Sequence, residues 1–161
     1  MTGREQSPDQ SNENDLDGSS VVAPGHHIVS VDAAGTVLFV VVTIVASLLD
    51  GDVTTMANLL VSVVLFVGGC VAFGVGFVRA AGRSRTEVID LAGLFYLTGS
   101  APRNVRRQML GLWYVQIAVA AVGVAITAPP FGVMAPVWGI GLLTLWSSRH
   151  ATFPPRPATR R

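Results

Sequence analysis

The chain has 161 residues, of which 50% are hydrophobic and 13% are charged, with a mean hydropathy of +0.53 and a net charge of +1. Soluble domains carry about 25% charged residues, so charge is depleted here by about half. This composition excludes an ordinary soluble domain, and the charge balance gives no reason to expect a nucleic-acid partner. All eleven strongly basic residues are arginine.

Four long apolar runs dominate the chain, at about 33–49, 57–78, 110–128 and 131–147. Each is close to the ~20 residues that a helix needs to cross ~30 Å of hydrocarbon. Lipid cannot solvate free peptide groups, so such segments must be helices that satisfy their own backbone. The sequence therefore predicts an all-α integral membrane protein, with a bundle of four transmembrane helices in a single domain over 32–148.

The amino-terminal region, 1–31, is predicted to be a disordered acidic cytoplasmic tail, because its first twenty residues are polar and carry few apolar side chains. The region lacks the short basic segment and cleavage site of a signal peptide, so we expect the first span to remain in the mature protein. Ser30 or Asp32 is a candidate cap for the first helix.

The second apolar run follows a turn signal at Asp50-Gly51-Asp52, and Thr54 and Thr55 offer caps for its helix. Inside the run, small residues recur at four-residue spacing, which places them in one stripe on a helix: Gly68, Ala72 and Gly76. Such stripes let helix backbones approach closely in lipid, so we interpret this one as a packing face. The alternative is that glycine is simply frequent in membrane helices.

The segment between the second and third runs leaves the hydrocarbon. Ser84 and Glu87 have the spacing of a capping box, and the apolar stretch that follows is too short to span. We predict a short interfacial amphipathic helix over about 86–97 in this central cytoplasmic loop. A short helix folded under the bundle and covered by protein is the alternative.

A further helix is predicted to begin near Pro102 and to continue without a break into the third span. Three arginines of its first turns, at helical spacing, then share one face: Arg103, Arg106 and Arg107. Pro129-Pro130 predicts a tight turn into the fourth span, where Pro136 is expected to kink the helix. Residues 149–161 are predicted to form an extended cytoplasmic tail rich in arginine and proline.

The arginines between the second and third runs and at the carboxyl end determine the predicted orientation, because the two outer turns carry none. Short cytoplasmic loops of membrane proteins are enriched in arginine and lysine. We therefore predict a multi-pass protein of the cell inner (plasma) membrane, with the central loop and both termini in the cytoplasm.

Two candidate sites emerge from this layout. Arg103, Arg106 and Arg107 are suited to binding anionic lipid headgroups, although they would equally serve topology alone or clamp the central loop through Glu87 and Asp90. Gln116, the most polar side chain predicted to lie within a span, is expected to hydrogen-bond between helices and so to contribute to helix packing with Gly68, Ala72 and Gly76.

No constellation for catalysis or metal binding is evident. No ionisable group is expected deep within a span, and His26-His27 and Asp50 with Asp52 lack further ligands at suitable spacing. Cys70 lies within an apolar run without a neighbouring histidine in sequence. We expect no catalytic residues, no metal site and no cofactor, and therefore no enzymatic activity.

These features favour a small, non-enzymatic membrane protein that acts by association with lipids, with another membrane protein or with itself as a homo-oligomer. The alternative is a small oligomeric transporter or channel, since the chain divides into two helical hairpins. An enzyme acting on lipid at the cytoplasmic boundary is less favoured, because convergent acid and base groups are missing around Glu87 and Asp90.

Overall fold

A computed structural model describes residues 25–49, 51–126 and 130–155. Their regular structure is helical, in the order α1 (His26–Leu48), α2 (Asp52–Arg83), α3 (Leu91–Tyr96), α4 (Arg103–Ile126), a 3₁₀ turn (Phe131–Met134) and α5 (Pro136–His150). In these residues four helical segments are long and apolar enough to cross a membrane: α1, α2, α4 and the 3₁₀ turn together with α5. The prediction of a helical bundle with four segments of spanning length is confirmed.

The first helix begins earlier than the sequence indicated. It starts at His26 after Gly25, whose φ of 79° breaks the helix, and an added Cβ at Gly25 would press on the Trp146 and His150 side chains. Ser30 and Asp32 therefore lie inside α1, and their predicted capping role is wrong. The last residues assigned to the acidic tail, 26–31, are helical, while the prediction for 1–24 lies outside the described residues.

The second helix is also longer than predicted, with 32 residues from Asp52 to Arg83. Thr54 and Thr55 lie within its first turn instead of capping it. The Thr54 hydroxyl donates to the carbonyls of Leu49 and Gly51, both at 2.8 Å, and so ties the turn to the end of α1. Asp50 lies outside the described residues.

The central loop contains a short helix, α3, which lies within the predicted 86–97 but covers only Leu91–Tyr96. Ser84 follows the end of α2 and donates to the Ala81 carbonyl, so it opens no capping box. Helix α3 spans six residues and is capped by Asp90, whose carboxylate accepts from Gly93 N at 3.0 Å. Leu94 and Leu97 are buried, and α3 packs against α5.

The third and fourth spans differ in how they begin. Helix α4 runs unbroken from Arg103 to Ile126, which confirms the continuous helix predicted there. Pro136, predicted to kink the fourth span, instead occupies the first turn of α5 after the 3₁₀ turn, where its missing N–H costs no helical hydrogen bond. Of the Pro129-Pro130 turn, Pro129 lies outside the described residues.

Helix α5 forms the centre of the bundle and packs most extensively against α2. Leu143 and Trp146 are fully buried, together with Met109 of α4 and Leu97 after α3. A second apolar cluster joins Phe39 of α1 to Leu65, Ala120 and Ala135. The outer surfaces of α1, α2 and α4, in contrast, expose many valine, leucine and isoleucine side chains.

Candidate functional sites: an arginine surface and a buried polar cluster

The structure brings the three predicted arginines together at the start of α4. Arg103, Arg106 and Arg107 line an open pocket of about 650 Å³ with three further residues of the same helix, Leu110, Gly111 and Tyr114. Arg106 is anchored, since its Nε donates to the Tyr96 carbonyl at 3.0 Å. The pocket therefore combines one fixed guanidinium with two others on the same helical face.

Arg103 and Arg107 are exposed, and neither has a hydrogen-bond or ion-pair partner among the described residues. A second groove, of about 410 Å³, lies between α1 and α4 and is lined mainly by apolar residues, including Val29, Ala33 and Val115. Arg107 and Gly111 line both cavities, so the arginine pocket and the apolar groove adjoin along α4. A ligand with an anionic head and an apolar tail would find both surfaces side by side.

The clamp on the central loop, for which Arg103, Arg106 and Arg107 were candidates, is formed by another arginine. Arg83, at the end of α2, pairs with Glu87 at 2.8 Å and donates to the carbonyls of Ser148 and Ala151 at 3.0 Å. Its guanidinium also lies 5.5 Å from the centre of the Phe153 ring. Asp90 is occupied in capping α3. The contacts of Arg83 with Ser148 and Ala151 have no local signal in the sequence, because those residues lie 65 and 68 positions further along the chain.

The residues that follow α5 continue this contact. Val88 N donates to the Pro154 carbonyl at 2.9 Å, and Thr152 N donates to the Ser100 carbonyl at 3.1 Å. The described part of the predicted extended tail, through Pro155, thus lies against the central loop. The remainder of that tail, 156–161, is outside the described residues.

Gln116 is fully buried and connects three helices. Its Nε2 donates to Thr36 Oγ1 at 2.7 Å and to Asp32 Oδ1 at 3.1 Å, and its Oε1 accepts from Gly139 N at 3.1 Å. Gly139 lies in the first turn of α5, where backbone N–H groups lack partners within the helix. Gln116 of α4 therefore holds α1 by its amide nitrogen and the start of α5 by its amide oxygen.

Asp32 is a buried ionisable group inside α1, whereas the sequence predicted a solvated helix end at this position. Its side chain has no exposed surface, and it occupies the second turn of α1. The sequence reasoning missed it because the first helix was expected to begin at residue 33, which placed Asp32 at a solvated end. The sequence does contain a signal for its burial. Asp32, Thr36, Phe39 and Thr43 recur at helical spacing and so share one face of α1, and all four are buried.

The predicted packing stripe lies on the part of α2 that meets α5. A Cβ at Gly68 would fall 2.7 Å from the Trp138 ring, and one at Gly76 would fall 2.8 Å from backbone atoms of α5. Ala72 is buried between them. The closest approach, however, involves Gly69 and Gly141. A Cβ at Gly141 would overlap the Gly69 carbonyl, and a Cβ at Gly69 would overlap the Val137 carbonyl of α5.

Cys70 is exposed on the outer surface of α2, although its position in an apolar run suggested burial. The ring centres of His26 and His27 lie 3.8 Å apart in the first turn of α1, with the ring planes tilted by 42°. Within residues 25–49, 51–126 and 130–155, no three histidine, cysteine or acidic side chains come together as a metal site would require.

Comparison with protein-family models, with curated proteins and with solved structures finds no match to this chain.

Proposed function

We propose that this chain is a multi-pass membrane protein that acts by association and that binds anionic lipid headgroups at Arg103, Arg106 and Arg107. The observation that carries the proposal is that the arginine pocket adjoins the apolar groove beside α1, with Arg107 and Gly111 lining both. A free phosphate would use only the charged pocket, whereas a lipid would place its headgroup there and an acyl chain in the groove. Arginine clusters at a membrane boundary are suited to this chemistry.

The exposed apolar surfaces of α1, α2 and α4 support membrane insertion, because a soluble protein would not leave such large areas uncovered. Within the described chain, the helix ends near His26, Arg83, Arg103 and His150 would share the cytoplasmic side of the inner membrane, as arginine placement favours. Reporter fusions at the two termini test this orientation. Both fusions should be active only with cytoplasmic reporters, and a reporter at either terminus that is active outside the cytoplasm would refute it.

Lipid binding is testable with the full chain purified in mild detergent. Adding phosphatidylglycerol or cardiolipin should raise the thermal unfolding temperature, while phosphatidylcholine and inorganic phosphate should leave it unchanged. The triple variant R103A/R106A/R107A should lose the response to anionic lipid because it removes the headgroup contacts.

A matched control removes the same number of charges elsewhere. Arg79, Arg85 and Arg149 are exposed and lie near the same ends of the helices, outside both cavities. The variant R79A/R85A/R149A should keep the response to anionic lipid. Equal loss in both triple variants would mean that only overall charge matters, and a full response to inorganic phosphate would mean that lipid is not the ligand.

A small oligomeric transporter is the second candidate, and the buried carboxyl group of Asp32 favours it, because ionisable groups within spans often mark ion pathways. Vesicles containing the purified protein and a pH-sensitive dye test this function. Proton flux above that of empty vesicles would support transport, and no flux under an imposed potential would exclude proton conduction.

A further inference from the structure

Asp32 is held in an unusual way for an acidic side chain. It is fully buried where α1 meets α4 and α5, and its Oδ1 accepts one hydrogen bond from Gln116 Nε2. Its Oδ2 is buried as well and has no hydrogen-bond partner among the described residues. Buried polar atoms are nearly always hydrogen-bonded, so this oxygen calls for a ligand.

The neighbouring groups argue against a metal ion as that ligand. Gln116 presents its N–H₂ group to Asp32, because its oxygen is engaged by Gly139 N. The Thr36 hydroxyl donates its proton to the Asp32 carbonyl at 2.8 Å. Hard cations need several oxygen ligands, and here the adjacent amide offers hydrogen atoms instead.

In the part of the chain that the structure describes, no positively charged side chain pairs with the carboxylate. Between its terminal charges, helix α2 carries only the exposed Cys70, and the main contact of α3 is with α5. The other titratable or charged groups facing this end of α1 are His26 and His27 on α1 itself, Arg107 on α4 and His150 on α5. None of them pairs with Asp32 in the described residues. An unpaired carboxylate in such surroundings is costly, and taking up a proton removes the charge.

A second buried polar group without a described partner lies nearby. The Trp138 indole nitrogen is buried, and a Cβ at Gly35 would overlap it. Gly35 follows Asp32 by three residues, so the two lie on neighbouring turns of the same face of α1. The carboxyl oxygen and the indole N–H thus provide an acceptor and a donor on one side of the helix.

We propose that Asp32 is a proton-binding site inside the helical bundle, where the carboxyl group takes up and releases a proton at Oδ2 while Gln116 holds Oδ1. The site is distinct from the arginine pocket, and it does not depend on lipid association. Proton binding changes the charge at the point where α1, α4 and α5 meet.

The carboxyl-directed reagent dicyclohexylcarbodiimide tests this site in the wild-type protein. Its C=N bond adds the O–H of a protonated carboxyl group in apolar surroundings, and the adduct rearranges to a stable N-acylurea without a leaving group. Mass spectrometry of the detergent-solubilised chain should locate the adduct on Asp32, with labelling that falls as the pH is raised. The exposed Asp52 and Asp90 should remain unlabelled and serve as internal controls.

Two variants connect the labelling to the observed geometry. D32N should abolish the adduct. Q116L removes the donor that favours the carboxylate, so the pH of half-maximal labelling should rise by about one unit. Absence of labelling on Asp32 between mildly acidic and alkaline pH would overturn the proposal. Protection by sodium but not by choline would also overturn it, because a bound cation would then replace the proton.

Discussion

The two sides of helix α5 are held by different physical means. Toward α2, backbones meet directly: a Cβ at Gly141 would overlap the Gly69 carbonyl, and a Cβ at Gly69 would overlap the Val137 carbonyl. Toward α1 and α4, the contact runs through side chains, with the amide of Gln116 linking Asp32 and Thr36 to Gly139. Close backbone packing depends on shape alone, whereas the polar contact depends on the chemical identity and protonation of its members.

From this difference we expect the α2–α5 pair to be the rigid part of the bundle and the α1–α4 side to be the adjustable part. Among the described residues, no titratable side chain is buried between α2 and α5, and the guanidinium clamp at Arg83 lies at one end of this pair. The α1–α4 side holds the buried carboxyl group and borders both cavities near Arg107. We expect any response to protons or lipid to move α1 against a fixed α2–α5 pair.

The largest expected effect comes from adding one methyl group to the α2–α5 contact. In Gly69→Ala the new Cβ would overlap the Val137 carbonyl, and a backbone cannot yield as a flexible side chain can. We expect the free energy of unfolding, measured in mild detergent, to fall by about 3 kcal/mol.

The control for this prediction lies on the same helix. A Cβ at Gly74 meets nothing within 4 Å, so Gly74→Ala should leave stability unchanged or slightly higher. If both variants lost stability equally, the close α2–α5 contact could not be the cause. The loss of helix flexibility would then explain the result.

A smaller effect is expected from removing the polar link on the other side of α5. Gln116→Leu eliminates both donors to α1 and the acceptor for Gly139 N, and it leaves buried polar groups without partners. We expect a loss of about 2 kcal/mol in the free energy of unfolding, measured by the same assay. Gln108→Leu, an exposed change on the same helix, is the matched control and should have little effect. A neutral result for Gln116→Leu would mean that the link contributes no stability.

The features of the structure that depend on local composition could be predicted from the sequence. Apolar runs located the four long helices, and the helical spacing of Arg103, Arg106 and Arg107 placed them on one face that the structure also shows. Gln116 was recognised as an interhelical group because a polar side chain in an apolar run needs a partner.

The sequence could not determine which partner helix each face would meet. Asp32 was placed at a helix end because α1 starts only where Gly25 packs against Trp146 and His150, over a hundred residues away. The Arg83 clamp and the backbone contact of Gly69 with Gly141 depend on the same kind of distant pairing. Hydropathy identifies the segments that are buried or inserted, but it contains no information about these pairings.

The smallest expected effect is a gain in the free energy of unfolding. It tests whether the α1–α4 contact tolerates an added methyl group, which the α2–α5 contact does not. A Cβ at Gly123 of α4 would come 3.7 Å from Thr43 Cγ2 of α1, an ordinary van der Waals distance. Alanine also restricts the unfolded chain more than glycine does, so Gly123→Ala should raise the free energy of unfolding by about 0.5 to 1 kcal/mol. The matched comparison is Gly69→Ala in the same assay. A loss at Gly123 similar to that at Gly69 would show that α1 and α4 are packed as tightly as α2 and α5, and an adjustable α1 would then be excluded.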